Sequence, residues 1–286
     1  MTISEQHSPV ALITGASGGL GLLTSLALAE AGFYVLASMR ELSKKDNLIE
    51  KAREKGVEAN IACVGLNVTH QDDINTLIPD IIKQYGAIDV LINNAGYAAG
   101  GFTEELPLED WRRQFETNVF GLIAVTKAVL PYMRERRRGT ILNLSSISGR
   151  VALPGLAPYS ASKYAVEGFS EALRLEMLPY GVHVVLIEPG SYQTDIWSKG
   201  MDHFNIDGDS PYKEEGDTLM RIVSHIAETA GDPKEVARLI VKMAQDDHPD
   251  LRSPVGKSVK TITRLKNVLP WKWLERVILK KVSPRK

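Results

Sequence analysis

Cysteine occurs once in this sequence, at position 63, so an internal disulfide is excluded. Cys63 lies in the apolar run Ile61-Ala62-Cys63-Val64 with no Cys or His at ligand spacing around it, which predicts a buried, inert thiol and no metal site. Long hydrophobic runs are also missing. No segment approaches the roughly 18 apolar residues of a membrane span. Met1 to Ser8 is short and polar and lacks the apolar core of a secretory signal, so the expected location is the cytoplasm. Nothing resembles a linker: with 44% hydrophobic residues, one large α/β domain is expected over residues 1–256, with residues 257–286 as its extension. The net charge of −1 shows no excess of either sign, but its distribution is uneven. Residues 251–286 hold eleven Lys or Arg against Glu275 alone, a surplus of +10 that leaves −11 on the other 250 residues.

What is present begins with an apolar run, Val10-Ala11-Leu12-Ile13, that reads as a buried parallel strand. It runs directly into Thr14-Gly15-Ala16-Ser17-Gly18-Gly19-Leu20-Gly21 and then into a helix with Leu22, Leu23, Leu26 and Leu28 in its apolar stripe. Strand, glycine turn and helix together are the context a dinucleotide fingerprint needs. Glycines let the backbone approach a pyrophosphate, whose charge is favoured at a helix N-terminus. Gly15, Gly19 and Gly21 take those roles, beside Leu20. The next strand, Phe33 to Ser38, ends in Met39-Arg40. An acid near this place would hold the adenine ribose of NAD, whereas an arginine accommodates the 2′-phosphate of NADP. No acid stands at Ser38 or Met39, so Arg40, with Ser17, favours NADP(H), and NAD(H) stays open.

A third apolar run, Ala59 to Leu66, leads into Asn67-Val68 and a helix from about Gln71 to Tyr85. A fourth strand, Ile88 to Ile92, ends in Asn93-Asn94-Ala95-Gly96, small residues and amides suited to pack beside an adenosine. Alternating strands and helices predict a parallel sheet covered on both faces, with its ligand crevice at the carboxyl ends of the strands. A long helix from about Leu108 to Arg137 contains Asn118, which is exposed, bonded to the core or functional. Arg134, Arg136, Arg137 and Arg138 close that helix, where cations suit the dipole; a solvated helix end is expected, and no nucleic-acid partner.

A fifth strand, Thr140 to Leu144, delivers Ser145-Ser146 to the carboxyl edge, and a helix starting near Pro158 carries Tyr159 and Lys163 at i and i+4 on one face. A phenol titrates near pH 10 and a neighbouring ammonium favours its phenolate, so Lys163 would lower the Tyr159 pKa. A sixth strand, Val182 to Ile187, ends in Glu188-Pro189-Gly190. Ser146, Tyr159 and the Pro189-Gly190 turn are thus expected at one end of the sheet.

Taken together, Thr14 to Gly21, Asn93-Asn94-Ala95-Gly96, Asn118, Ser146, Tyr159-x-x-x-Lys163 and Pro189-Gly190 followed by Thr194 resemble the short-chain dehydrogenase/reductase family, in its single-domain branch, over residues 9–255. The resemblance implies a seven-stranded Rossmann fold and an NAD(P)-dependent oxidoreductase. It implies Tyr159 as proton donor or acceptor, Ser146 as partner of the substrate oxygen, and Lys163 as holder of the nicotinamide ribose. Asn118 would hold a water in a proton relay, and Thr194 would contact the carboxamide. It also implies a homodimer or homotetramer through the helices around Asn118 and Tyr159. Two positions depart from the pattern: Gly18 stands where NADP-preferring relatives often carry a base, and Asn67 where relatives usually have Asp against the adenine amino group.

The stretches Tyr34 to Arg40 and Lys163 to Phe169 are similar to the part of the family that includes retinol and 17β-hydroxysteroid dehydrogenases. Leu153, Leu156, Tyr192, Ile196, Trp197, Met201 and Phe204 would wall an apolar pocket for a ketone, aldehyde or secondary alcohol. A cofactor-sensing protein that keeps the fold is the alternative from another class. Beyond Gly256, basic residues interleave with Ile262, Leu265, Val268, Leu269, Trp271, Trp273, Leu274, Val277 and Ile278. Such an amphipathic tail either covers the cleft or a partner subunit, which is the plainer expectation, or lies on an anionic membrane.

Overall fold

The computed structural model describes residues 8–193 and 210–282. Seven strands, β1 (Val10–Ile13), β2 (Tyr34–Met39), β3 (Ile61–Gly65), β4 (Val90–Asn93), β5 (Gly139–Leu144), β6 (Val182–Pro189) and β7 (Arg252–Val255), form one sheet in the order β3-β2-β1-β4-β5-β6-β7. All six pairings are parallel. Each strand therefore needs a crossover, and helices supply most of them: α1 (Gly19–Glu30), α2 (Asp46–Glu54), α3 (Gln71–Tyr85), α4 (Leu108–Phe115), α5 (Leu122–Arg136), α6 (Ala157–Met177), α7 (Lys213–Glu228) and α8 (Lys234–Gln245). Two more, α9 (Val259–Val268) and α10 (Trp271–Val282), follow β7. The architecture is a doubly wound Rossmann-type α/β fold.

Successive strand residues face opposite sides, so each strand feeds two cores. Ala11, Ile13, Val35, Ala37, Ile92 and Leu142 pack under Leu22 and Leu26 of α1, Leu48 of α2, and Val236, Ile240 and Met243 of α8. Their neighbours Val10, Leu12, Leu36, Leu91 and Ile141 pack against Ile74 and Ile78 of α3, Val125 and Val129 of α5, and Leu173 of α6. Burial on both faces explains why the strands read as unbroken apolar runs rather than alternating ones. The strand order turns back between β1 and β4. The loops after those two strands therefore diverge, and a crevice opens at their carboxyl ends.

Between β2 and α2 the chain makes a short 3₁₀ turn, Leu42–Lys44. Two expectations need correction. The long helix around Asn118 is continuous in path but contains a π-helical turn at Glu116–Gly121, between α4 and α5. Cys63 is half-buried rather than buried; its partial burial pushes the thiol above its usual range.

Candidate active site

The crevice is a cleft of about 260 Å³ whose floor is the turn between β1 and α1. Gly15 holds a φ of 71°, and a methyl group there would come within 2.9 Å of Ala95 Cα. A methyl at Gly21 would run into the Gly15 carbonyl oxygen and stand 2.7 Å from Asn94 Nδ2. Only glycine fits either place. Asn94 explains the crowding: its Nδ2 donates to the Thr14 and Gly15 carbonyls at 2.8 and 3.0 Å. Thr14 Oγ1 in turn accepts from the backbone N–H of Asn94 and of Ala95, both at 3.0 Å. The end of β4 thus clamps the glycine turn, and the start of α1, which no side chain caps, lines the cleft. This cradle fits a pyrophosphate, because α1 presents donors and dipole with no Cβ in the way.

Gly15, Ser17, Gly19, Leu20, Gly21, Asn94, Ala95, Gly96, Ser146, Tyr159, Lys163, Pro189, Gly190 and Tyr192 all line this cleft. A second hollow shares Gly15, Ser17, Gly18, Ala95 and Tyr97 with it and extends to Arg40, Lys44, Asn67 and Val68. The Arg40 side chain is 71% exposed and pairs with Glu41 at 3.4 Å, while Lys44 pairs with the same carboxylate at 2.9 Å. Lys44 and, more weakly, Arg40 hold the Glu41 carboxyl below its usual range. The Asn67 side-chain oxygen accepts from Thr69 N–H and Oγ1 at 3.2 and 3.0 Å, so the local turn engages the acceptor assigned to an adenine amine.

At the other end of the cleft, α6 presents Tyr159 and Lys163 one turn apart, with the Lys163 ammonium 5.7 Å from the centre of the Tyr159 ring. Both are buried. Burial pushes the Tyr159 phenol above its usual range, and the hydrogen bond with Ser146 draws it partly back. Burial likewise lowers Lys163 to about 8, and Glu167 opposes that shift. The expected depression of the Tyr159 phenol by Lys163 is therefore not found; desolvation outweighs the hydrogen bond with Ser146, and Lys163 Nζ donates instead to the Leu144 carbonyl at 2.7 Å.

Asn118 does not line the cleft. Its Oδ1 accepts from Tyr97 N–H at 3.1 Å, and its Nδ2 donates to the Tyr97 carbonyl at 2.9 Å and to Ser162 Oγ at 3.3 Å. It bonds both backbone groups of a residue that lines both hollows. Tyr192 contributes its ring, but its hydroxyl donates to Glu235 on α8 at 2.9 Å, away from a reacting centre. Leu153 is 39% exposed and is not among the residues that line the cleft. Thr194, Ile196, Trp197, Met201 and Phe204 lie outside the described residues.

Sequence reasoning placed Ser145 at the sheet edge without a role, and missed Tyr97 and a charged cluster behind Lys163. Tyr97 directly follows Asn94-Ala95-Gly96, so its position at the carboxyl end of β4 was a usable signal. Ser145 donates to Glu167, which ion-pairs with Arg252; Arg252 also pairs with Glu171 and, at 2.6 Å, with Glu188. Burial pushes the Glu167 carboxyl up despite these bonds. The position of Glu167, four residues beyond Lys163 on α6, was legible. The 85-residue separation to Arg252 was not.

The comparisons with known proteins agree with this geometry. A family model described as short chain dehydrogenase matches residues 9–203. An uncharacterized oxidoreductase of Bacillus subtilis, YusZ, is 44% identical over 279 residues, 96% of this chain and 99% of its own. A 3-ketodihydrosphingosine reductase of Bacteroides thetaiotaomicron is 37% identical over 91% of this chain and 93% of its own. Among solved structures, an actinorhodin polyketide ketoreductase with NADPH superposes with a TM-score of 0.76 at 32% identity, covering 88% of this chain and 97% of that one. With a family model matched across two thirds of its length and a relative aligned along nearly all of it, the chain belongs to the short-chain dehydrogenase family of NAD(P)-dependent oxidoreductases.

Proposed function

We propose that this protein is an NADP(H)-dependent oxidoreductase that interconverts an apolar ketone or aldehyde and its alcohol. The observation that carries the reading is the convergence of Ser146, Tyr159 and Lys163 on the same cleft as the glycine cradle. A bound nicotinamide supplies or accepts hydride. The chain's own residues handle the oxygen. Ser146 donates a hydrogen bond to the carbonyl oxygen and orients it. Tyr159, kept protonated by burial, gives its proton to the developing alkoxide, so charge is neutralised as it forms. Lys163 holds the ribose and returns a positive charge towards Tyr159 once its bond to Leu144 is shared. Asn118 acts through Tyr97, whose backbone it fixes, in addition to any bond to water.

Arg40, Ser17 and Lys44 around the second hollow support NADP(H), as does the NADPH carried by the ketoreductase of matching fold. Asn67 and Val68 would flank the adenine, with Asn94, Ala95 and Gly96 beneath the adenosine. Pro189 and Gly190 would flank the nicotinamide, and Thr194 would reach its carboxamide. Leu156, buried just before α6, supports an apolar substrate side, and the ketone reduced by the sphingoid relative is of that kind. Exposed Leu108 and Phe120, on the segment around Asn118, with Leu175 of α6 support self-association of the whole chain, which light scattering would measure.

The test is oxidation of NADPH and of NADH by the purified protein with medium-chain aldehydes, aromatic ketones and long-chain 3-keto amines, beside Tyr159→Phe. Turnover is expected with NADPH and to fall at least 100-fold in the variant. Tight NADPH binding without turnover of any carbonyl would overturn the reading in favour of a cofactor sensor.

A further inference from the structure

The two helices after β7 leave their apolar side uncovered. Of the sixteen large hydrophobic residues that are exposed among those described, eight fall within Ile262 to Leu279. They include Val268 at 80%, Trp273 at 62% and Trp271 at 60%. The expectation that this side packs on the protein is met by few residues: Val259 is buried, and Leu274 and Ile278 are half-buried. A concentrated apolar patch of this kind marks an interaction surface.

The charges identify what it meets. From residue 257 to 282 there are eight Lys or Arg against Glu275 alone. On α10, Trp273 and Val277 form one stripe at i and i+4, and Arg276 and Lys280 form the adjoining stripe at the same spacing. On α9, Ile262, Leu265 and Val268 run along one side, with Lys260 and Arg264 on the other. Exposed tryptophans beside exposed cations suit the boundary between lipid headgroups and acyl chains. There the rings enter the interface and the cations meet anionic headgroups. A second copy of the chain would cover apolar area equally well, but it offers no reason for the unbroken basic rim beside the tryptophans.

The placement of the helices relates this surface to the cleft. A methyl on Gly190, a cleft residue, would stand 2.9 Å from Val259 Cγ2 at the start of α9. Lys266 donates to the Arg150 carbonyl and to Tyr164 Oη, and its ammonium lies 4.8 Å from the Tyr164 ring centre. Arg150 lies four residues after Ser146 and Tyr164 five after Tyr159, both of which line the cleft. We propose that α9 and α10 dock the protein, without crossing the bilayer, on an anionic lipid surface, with the rim of the cleft beside the docked face.

Flotation of the full chain with vesicles of phosphatidylcholine and phosphatidylglycerol tests this directly, with pure phosphatidylcholine as control and no substrate present. Binding is expected to the anionic vesicles, with a blue shift of tryptophan emission, and to weaken strongly between 0.05 and 0.5 M salt, both as order-of-magnitude settings. The triple variant K272Q/R276Q/K280Q should bind on the order of 100-fold more weakly. The variant W271S/W273S should lose the blue shift while keeping its melting temperature, since both rings are exposed. Failure to float with anionic vesicles, or binding that neither variant changes, would overturn the proposal. So would concentration-dependent self-association abolished by W271S/W273S, which would assign the face to a second copy.

Discussion

Lys163 is where the protein's own energetics and its chemistry meet. Burial places its ammonium at about 8, below its ordinary value of 10.5. Between those two values the unfolded chain holds a proton that the folded chain has released, so stability rises with pH across this window. Below pH 8 the folded state carries the full cost of a buried cation, which the fall from 10.5 to about 8 puts at about 3 kcal/mol. The stability of the wild type relative to Lys163→Met, free of cofactor, should therefore climb by about that amount from pH 8 to 10.5. Chemical denaturation at several pH values measures it. Glu167 raises the Lys163 pKa, so Glu167→Gln should move the start of the climb to lower pH. A flat difference for wild type would mean that Lys163 is solvated. A cation destabilised in this way is well placed to hold a partner hydroxyl, because binding recovers part of the cost.

At the scale of elements, the segment from α4 to α5 carries the most information, because its π turn turns Asn118 inward. Asn118→Leu would leave the Tyr97 N–H without its side-chain acceptor and remove one of the two donors to the Tyr97 carbonyl, which keeps Gln114 Nε2 at 2.8 Å, costing about 1 to 3 kcal/mol, whereas Asn118→Asp keeps an acceptor for the N–H and should cost less. Thermal melts of the two variants check the order, and equal losses would show that Tyr97 finds other partners. The sequence made the elements themselves plain wherever both faces are buried: β1 and α3 lie where the apolar runs and helical period place them. The π turn was not legible because one extra residue leaves the surrounding helical pattern intact. The glycine cradle, Ser146, Tyr159 and Lys163 were legible because short local spacings bring them to the carboxyl edge. The Glu167–Arg252 cluster was hidden because the chain returns to it only at β7, and the bond of the Tyr192 hydroxyl to Glu235 was hidden because its partner lies 43 residues further on. The tail showed its amphipathic period in the sequence, but not that the apolar side stays in water.

For the whole molecule, the crevice lies where the two halves of the sheet diverge, so a ligand held there touches elements that feed both cores. Asn94 joins the glycine turn to β4, and α1 continues from that turn into the core beneath α8. A cofactor bound across this junction binds the folded chain and not the unfolded one, so its binding energy adds to the stability of the fold as a whole. At 100 times its dissociation constant, NADPH should add about 2.7 kcal/mol. At about 2 °C per kcal/mol for a chain of this size, the melting temperature should rise by about 5 °C. NADH at the same concentration should give a smaller rise, because it has no 2′-phosphate for Arg40 and Lys44. Arg40 is exposed and shares Glu41 with Lys44, so its phosphate contact competes with water and a carboxylate; Arg40→Ala should weaken NADPH about tenfold rather than abolish binding. Its NADPH-induced rise should then shrink towards that of NADH, with the NADH rise unchanged. A larger rise with NADH in the wild type would instead assign the hollow beside Arg40 to a ribose hydroxyl held by Glu41, and the cofactor preference would reverse.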